Sequence, residues 1–250
     1  LANTESLVVA GELLTKTAQN HRANIFPLGF GHSAIFQSVV GEFQNKITRL
    51  YLTHSGVREE ISDEQLIRSV EKLNQNDKWR MVNDATLFRR GFEISEAKWL
   101  YGVKPNDIEF LHHPEAVVHG LVKFEDGSIK TVMSGSDIRL PIQFAMSFPV
   151  RLESEASDFR LEDHLNLSFN KTDLKGEKSV KLCETALEIG GTASCILNAA
   201  NDIAVRAFLN GGMSLSQIPY FVEECLEQTK ITHKPNLEDY LSCDAETRTK

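Results

Sequence analysis

The spacing of apolar residues predicts helices in the first hundred residues of the chain. Apolar side chains recur at three- and four-residue intervals from position 7 to 14, which is the period of a helix that buries one face. The charged stretch 57–81 predicts a surface helix that starts near Ser62 and breaks at the polar segment 74–78. The predicted helices of this part are 7–14, 32–41, 57–81 and 85–100.

Alternating apolar and polar residues predict strands between these helices. The segment Glu125–Ser128 is polar and contains glycine, as is typical of a hairpin turn, so the strands on either side of it are expected to pair. The predicted strands are 24–28, 47–53, 108–112, 116–124 and 129–133. Together these elements predict an α/β (α+β) domain with a small mixed or antiparallel sheet.

Pairs of glycines divide the last part of the chain into helices. Gly190–Gly191 and Gly211–Gly212 follow apolar runs of helical period, where glycine commonly ends a helix. The segment 150–178 is charged and weakly periodic, which is typical of a linker. The predicted helices are 180–189, 194–209, 215–230 and 236–242. We therefore predict a central domain at 1–149, a linker at 150–178 and a C-terminal helical bundle at 179–250.

The composition argues against several classes of partner. The chain has 250 residues, of which 41% are hydrophobic and 25% charged, as in ordinary globular proteins. Its net charge of -8 argues against nucleic-acid binding, which needs clustered lysine and arginine. Its four cysteines are too widely spaced for a zinc knuckle, and no apolar run is long enough to span a bilayer. We expect a soluble protein of the cytoplasm or an organelle interior, with no nucleic-acid or membrane partner.

Seven segments add a different kind of information, because they occur together in a recognisable order. They are LANTESLVVAGELL (1–14), HSAIFQ (32–37), LTHSG (52–56), NDATLFRRGFEISEAKWL (83–100), HHPEAVVHGLVKFEDGS (112–128), SDIRLPIQFAMSFPVRL (136–152) and GGTASCILNAANDIAVRAFL (190–209). In order and spacing they resemble motifs of the 1-deoxy-D-xylulose 5-phosphate reductoisomerase family. The resemblance covers nearly the whole chain.

The resemblance implies a chemistry and a domain plan. Members of this family act in the non-mevalonate isoprenoid pathway, where they rearrange a phosphorylated ketose and reduce the product with NADPH, using a magnesium or manganese ion. They have an N-terminal Rossmann domain, a central catalytic and dimerising domain and a C-terminal helical bundle. Leu1 aligns with the end of the first of these, and no GxGxxG motif follows an opening strand. We therefore expect no Rossmann domain and no cofactor bound by this chain.

One short segment departs from the family's metal site. The family motif DSEHSAIF corresponds to GFGHSAIF here, so Gly29 and Gly31 stand at two metal-binding carboxylates and Phe30 stands at a substrate-binding serine. The third carboxylate corresponds to Glu93. Because magnesium needs several oxygen ligands, the resemblance implies that Glu93 alone holds a metal poorly. Without the resemblance, Glu93 and Glu96 would be interpreted as solvated or capping side chains.

The family's phosphate-binding segment also differs here. Its motif VDSATMMNKG corresponds to VNDATLFRRG, which places Asp84 at a phosphate-contacting serine, and Arg89 and Arg90 at asparagine and lysine. Arg90 can hold a phosphate through its planar guanidinium group, whereas Asp84 would repel one. Ser55 corresponds to the serine of the family's SGGPF loop. The resemblance implies that Ser55 and Glu93 stand at catalytic positions of the family. Thr4 replaces a lysine near the cofactor and the metal.

The departures are concentrated where the chemistry would occur, while the scaffold motifs persist. The leading hypothesis is therefore a non-catalytic family member with a structural or interaction role. We expect it to form a homodimer through the strands between 108 and 133, with an unidentified protein as a further partner. The alternative is part of an active NADPH- and metal-dependent reductoisomerase whose cofactor domain lies upstream. A third hypothesis is an altered or designed version of a natural enzyme.

Overall fold

The structure, a computed structural model, describes residues 3–42, 44–56, 61–154 and 159–249. These residues form two compact units whose segments alternate along the chain. The first unit is formed by the described residues within 1–4, 22–57 and 100–173, and the second by those within 5–21, 58–99 and 174–250. These units are defined by contacts and do not test the domain boundaries predicted at 149 and 179, which stay a prediction.

The first unit is built around a five-stranded sheet. Its elements are α2 (Phe30–Val39), β1 (Ile47–His54), β2 (Ile108–His112), β3 (Val118–Phe124), β4 (Ile129–Met133), α6 (Arg139–Ser147) and β5 (Asn170–Thr172). The strand order is β4–β3–β1–β2–β5. β1 and β2 run parallel, whereas the other neighbouring strands are antiparallel. The mixed sheet is therefore confirmed, together with four of the five predicted strands.

The packing of β3 explains the position of α2. Val118, Gly120, Val122 and Phe124 are buried and alternate with half-buried residues, as expected for a strand with one face in the core. Gly120 has no side chain, and a Cβ atom placed there would lie 2.7 Å from the carbonyl oxygen of Gly31. The first turn of α2 therefore packs directly against the backbone of β3.

The strand predicted at 24–28 is wrong. This segment has no regular secondary structure. Phe26 instead packs against Phe36, with ring centroids 5.4 Å apart, and against Phe148, with centroids 5.3 Å apart. Because Pro27 has no N–H group to donate, the segment is a poor partner for a sheet. Aromatic packing partly buries Phe26 instead.

Two elements of the first unit leave no clear pattern in the sequence. α6 follows β4 in a segment for which no helix is predicted. β5 lies inside the segment predicted as a linker, and it pairs with the end of β2, where Phe110 faces Thr172. A strand of three residues is too short to show alternation, so only its pairing partner reveals it.

The second unit is helical, with α8 in the middle of its core. Its helices are α1 (Glu5–Asn20), α3 (Asp63–Val70), α4 (Gln75–Ala85), α5 (Phe88–Tyr101), α7 (Lys178–Ile189), α8 (Ala193–Leu209), α9 (Ile218–Gln228) and α10 (Leu237–Arg248). α8 packs against α1, α4, α7, α9 and α10, and it buries eleven of its residues. The helices predicted in the C-terminal part are confirmed. Among the described residues, no helix is long and apolar enough to cross a membrane.

Side-chain caps define the helices in the charged stretch. Ser62 and Gln65 form a reciprocal capping box at the start of α3, which confirms the predicted start of this helix. The predicted break between two helices is present, but it lies at 71–74 instead of 74–78. The Asn74 side chain accepts a hydrogen bond from the Asp77 N–H and caps α4, so that 75–78 is helical. Part of the predicted helix, at 57–60, lies outside the described residues.

Candidate functional site

The start of α2 carries Gly29, at its N-cap, and Gly31, in its first turn. A Cβ atom at Gly29 would meet no other atom within 4 Å. A Cβ atom at Gly31 would lie 2.9 Å from Leu52 Cδ2 and 3.2 Å from the carbonyl oxygen of His119. Position 29 therefore has room for a carboxylate, whereas position 31 accepts one only if its neighbours move. Neither glycine offers a side-chain oxygen to a metal.

Phe30 lies between these two glycines, and its ring packs beside His119. Its ring lies 4.9 Å from the ring of His119, measured between centroids. Burial lowers the pKa of His119, which favours its neutral form. Phe30 also lines a cavity of about 280 Å³ together with Phe144 and Arg151. None of the described residues that line this cavity is a carboxylate, so its walls provide no charged oxygen ligand for a divalent cation.

Ser55 follows β1 at the edge where β1 and β2 end side by side. His54 and His112 are paired in register there, with ring centroids 5.5 Å apart. The Nε2 atom of His112 lies 3.3 Å from the carbonyl oxygen of Ser55. His113 is buried, and its Nδ1 atom lies 2.9 Å from the carbonyl oxygen of Ser168. Within the described parts of the chain, no three histidine, cysteine or acidic residues are grouped to hold a metal.

The turn between α4 and α5 gathers four charged side chains, which we call the α4–α5 charge cluster: Asp84, Arg89, Arg90 and Glu93. Leu87 has a left-handed backbone conformation, with φ of 65°, and this turn directs the end of α4 towards the start of α5. Arg89 donates to both carboxylate oxygens of Asp84, at 2.8 and 3.2 Å. Arg90 donates to Asp84 at 3.2 Å and to Glu93 at 2.6 Å.

The electrostatics of this cluster are balanced by its own members. Burial acts to lower the pKa of Arg89, but the carboxylates of Glu93 and Asp84 outweigh it and raise that pKa. Next to the cluster, the positive charge of Arg89 lowers the pKa of Arg80. The sequence led us to expect Asp84 to repel a phosphate; in the structure both arginines already compensate its charge. Around Arg80 and Arg89, the carboxylates of Asp77 and Glu96 add further negative charge.

The Glu93 carboxylate forms ion pairs with both arginines of the cluster. Its Oε2 atom accepts from Arg90, and its Oε1 atom lies 3.5 Å from Nε of Arg89. The side chains of Glu93 and Arg90 are only 16% and 11% exposed, so these ion pairs are largely shielded from water. A metal at Glu93 would have to displace charge-assisted hydrogen bonds. The interpretation of Glu93 as a solvated carboxylate is therefore wrong.

The predicted site residues fall into two groups. Gly29, Gly31 and Ser55 belong to the first unit, and Arg89, Arg90 and Glu93 belong to the second. The structure brings the second group together through ion pairs. Sequence reasoning missed those pairs, although acidic and basic residues at spacings of three to six across a helix–turn–helix were a usable signal.

Comparison with known proteins places this combination of a mixed sheet and a helical unit among the C-terminal domains of reductoisomerases. Residues 25–101 match the model of the 1-deoxy-D-xylulose 5-phosphate reductoisomerase C-terminal domain. Residues 133–250 match the model of the DXP reductoisomerase C-terminal domain. The chain belongs to the 1-deoxy-D-xylulose 5-phosphate reductoisomerase family, as the sequence motifs predict.

Curated relatives and solved structures agree with this assignment. The chain is 38% identical to the 1-deoxy-D-xylulose 5-phosphate reductoisomerase of Bacteroides thetaiotaomicron over 99% of its own length and 65% of the relative's. It is 37% identical to that of Desulforamulus reducens, covering 66% of that relative. The chain thus spans about two thirds of the length of these relatives.

Two solved structures show the same fold over the whole chain. The Zymomonas mobilis reductoisomerase in complex with NADPH superposes with a TM-score of 0.88 at 30% identity, and 66% of it is covered. A DOX-P reductoisomerase in complex with magnesium superposes with a TM-score of 0.86 at 33% identity, and 67% of it is covered.

Proposed function

We propose that this chain is a reductoisomerase-family scaffold that does not bind the catalytic divalent metal and that acts in a structural or interaction role. The observation that carries the proposal is the state of the family's metal positions. Two of them are Gly29 and Gly31, and the carboxylate at the third, Glu93, is paired with Arg89 and Arg90. A hard cation such as magnesium takes about six oxygen ligands and cannot use a glycine side chain.

The residues present therefore do not fit the metal of the relatives. One solved relative contains magnesium, and another contains NADPH, fosmidomycin and magnesium. A side chain at position 29 would meet no other atom near its Cβ, whereas one at position 31 would contact Leu52 and the backbone of His119. We propose no NADPH-binding residue in this chain.

The alternative is that the chain is part of an active NADPH- and metal-dependent reductoisomerase of the non-mevalonate isoprenoid pathway. The presence of Arg80, Arg89 and Arg90 near one another favours it, because a phosphorylated substrate needs basic partners. Ser55 would then keep its family role in binding the substrate. This alternative requires metal ligands at positions other than 29 and 31.

Titration of manganese into the 250-residue chain separates the two proposals. We expect no saturable heat by isothermal calorimetry, with or without fosmidomycin, which corresponds to a dissociation constant weaker than about 1 mM. The magnesium-binding relative, titrated in the same buffer, is the positive control. Saturable binding that tightens with fosmidomycin and is lost in Glu93→Gln would overturn the scaffold proposal and support the active enzyme.

We also propose a homodimer that forms through the edge of the sheet in the first unit. Of the strands between 108 and 133, β2 and β3 are interior, whereas β4 is at the edge of the described sheet. Ile129 of β4 is 51% exposed. An open strand edge with an exposed apolar residue favours pairing with a second copy.

The mass in solution tests this assembly. Sedimentation equilibrium is expected to give twice the chain mass of 28.1 kDa, and Ile129→Lys should shift the mass towards that of one chain because it places a charge in the interface. Leu237→Lys, at a position in α10 that is 60% exposed, is the matched control and should leave the mass unchanged. A wild-type mass of one chain contradicts the proposal.

A further inference from the structure

Two histidines lie side by side where the parallel strands β1 and β2 end. His54 and His112 are in register, so their side chains leave the same face of the sheet. Both are half-buried, their ring centroids are 5.5 Å apart, and their ring planes are inclined by 46°. β1 and β2 are interior strands of the described sheet, so neighbouring strands on both sides hold the backbone beneath the two rings.

Each ring has one nitrogen directed at a backbone carbonyl. Nδ1 of His54 lies 3.0 Å from the carbonyl oxygen of Gly56, and Nε2 of His112 lies 3.3 Å from that of Ser55. Because a carbonyl oxygen only accepts hydrogen bonds, these are the nitrogens that carry the proton in the neutral rings. The lone pairs are then on Nε2 of His54 and on Nδ1 of His112.

The nearest hydroxyl does not donate to the first of these lone pairs. Nε2 of His54 lies 3.4 Å from Oγ1 of Thr172. The Thr172 hydroxyl donates its proton to the carbonyl oxygen of Phe110, at 3.0 Å. A hydroxyl group has a single proton, so Thr172 lies beside Nε2 without protonating it or donating a hydrogen bond to it.

We propose that His54 and His112 form a two-histidine site for a zinc ion, with Nε2 of the first and Nδ1 of the second as ligands. With a zinc–nitrogen distance of about 2.1 Å, each ring centroid would lie about 3.2 Å from the ion, and at a tetrahedral angle the two centroids would be about 5.2 Å apart. The observed separation of 5.5 Å is close to this value. The described residues add no third histidine, cysteine or carboxylate to the group, so water completes the coordination.

The contacts behind the rings are those that orient metal ligands. Histidines that bind a metal commonly donate their other ring N–H to a backbone carbonyl or a carboxylate, which fixes the tautomer and the ring orientation. Here the acceptors are the carbonyl oxygens of Ser55 and Gly56, two consecutive residues that directly follow β1. Both rings are therefore oriented before an ion arrives.

The ligand atoms also select the ion. Neutral imidazole suits zinc, nickel and copper, whereas magnesium prefers carboxylate oxygens and water, and manganese binds weakest in the series of divalent transition metals. The pair contains none of the residues at the family's metal positions, Gly29, Gly31 and Glu93. Titrations with manganese and with zinc therefore test different sites, and either proposal can fail without the other.

Calorimetric titration of zinc chloride into the 250-residue chain, with an excess of magnesium and a reductant that does not chelate zinc, tests the proposal. We expect saturable binding of one ion per chain. His54→Ala and His112→Ala should each weaken it at least about tenfold. His164→Ala is the matched control, because His164 lies in the same unit and is also half-buried, and it should leave the affinity unchanged. Thermal unfolding without zinc checks that each variant is folded.

Nitrogen NMR of the unmodified chain identifies the ligand atoms without any substitution. In ¹⁵N-labelled protein, zinc should shift the resonances of His54 Nε2 and His112 Nδ1 and leave the protonated nitrogen of each ring bonded to its proton. The absence of saturable heat overturns the proposal. So does zinc binding that persists unchanged in both alanine variants, or a shift confined to other histidines.

Discussion

Replacing Gly120 with alanine is expected to lower the free energy of unfolding by about 3 kcal/mol, because the new methyl group has no space. Its carbon would lie 2.7 Å from the carbonyl oxygen of Gly31 and 2.9 Å from Cγ1 of Ile35. The oxygen belongs to the backbone of α2 and cannot rotate away. The whole helix would have to move off β3, which would separate buried side chains on both elements.

Urea denaturation followed by circular dichroism measures this loss. Gly56→Ala is the matched control in the same unit, because a methyl group there meets no other atom within 4 Å. Its effect should stay within about 0.5 kcal/mol. A Gly120 variant as stable as this control would show that α2 is not held by close contact with β3.

The close packing of α2 on the sheet also limits substitution at Gly31. The first turn of α2 packs so closely on the sheet that a glutamate at position 31 would press on Leu52, which is itself 2% exposed. Position 29 lacks this constraint. Positions 29 and 31 are therefore not equivalent, and a glutamate at 31 demands repacking of the core.

Replacing Gly191 with alanine is expected to destabilise the second unit even more, by about 4 kcal/mol or more. Two costs add at this position. Its φ of 59° lies in the left-handed region that favours glycine. A Cβ atom there would also lie 2.2 Å from the carbonyl oxygen of Thr232 and 2.9 Å from Cα of His233, both of them backbone atoms.

A second glycine separates the two costs. Gly211 has a φ of 76°, but a Cβ atom there would meet no other atom within 4 Å. Gly211→Ala should therefore cost only about 1 kcal/mol, from backbone conformation alone. Thermal unfolding of both variants checks the difference. Equal losses would mean that the clash with Thr232 does not contribute.

The sequence determined the parts of the fold that depend on local pattern. Helical periodicity and the glycine pairs located α7, α8 and α9, and alternation located β1 to β4. The serine at position 62 marked the start of α3 because its capping partner lies three residues along the same helix. The absence of a side-chain oxygen at Gly29 and Gly31 also needed no structure, since a glycine has no side chain in any fold.

Only the tertiary structure decided which groups meet across distances in the chain. It made β1 and β2 parallel, and it buried Phe26 in aromatic packing where a strand is predicted. It paired Glu93 with Arg89 and Arg90 through a turn at Leu87. It placed the Cys195 thiol 3.5 Å from the carbonyl oxygen of Tyr240, 45 positions later. Such contacts depend on how complete helices and strands pack together, and a local pattern of apolar and polar residues does not specify that packing.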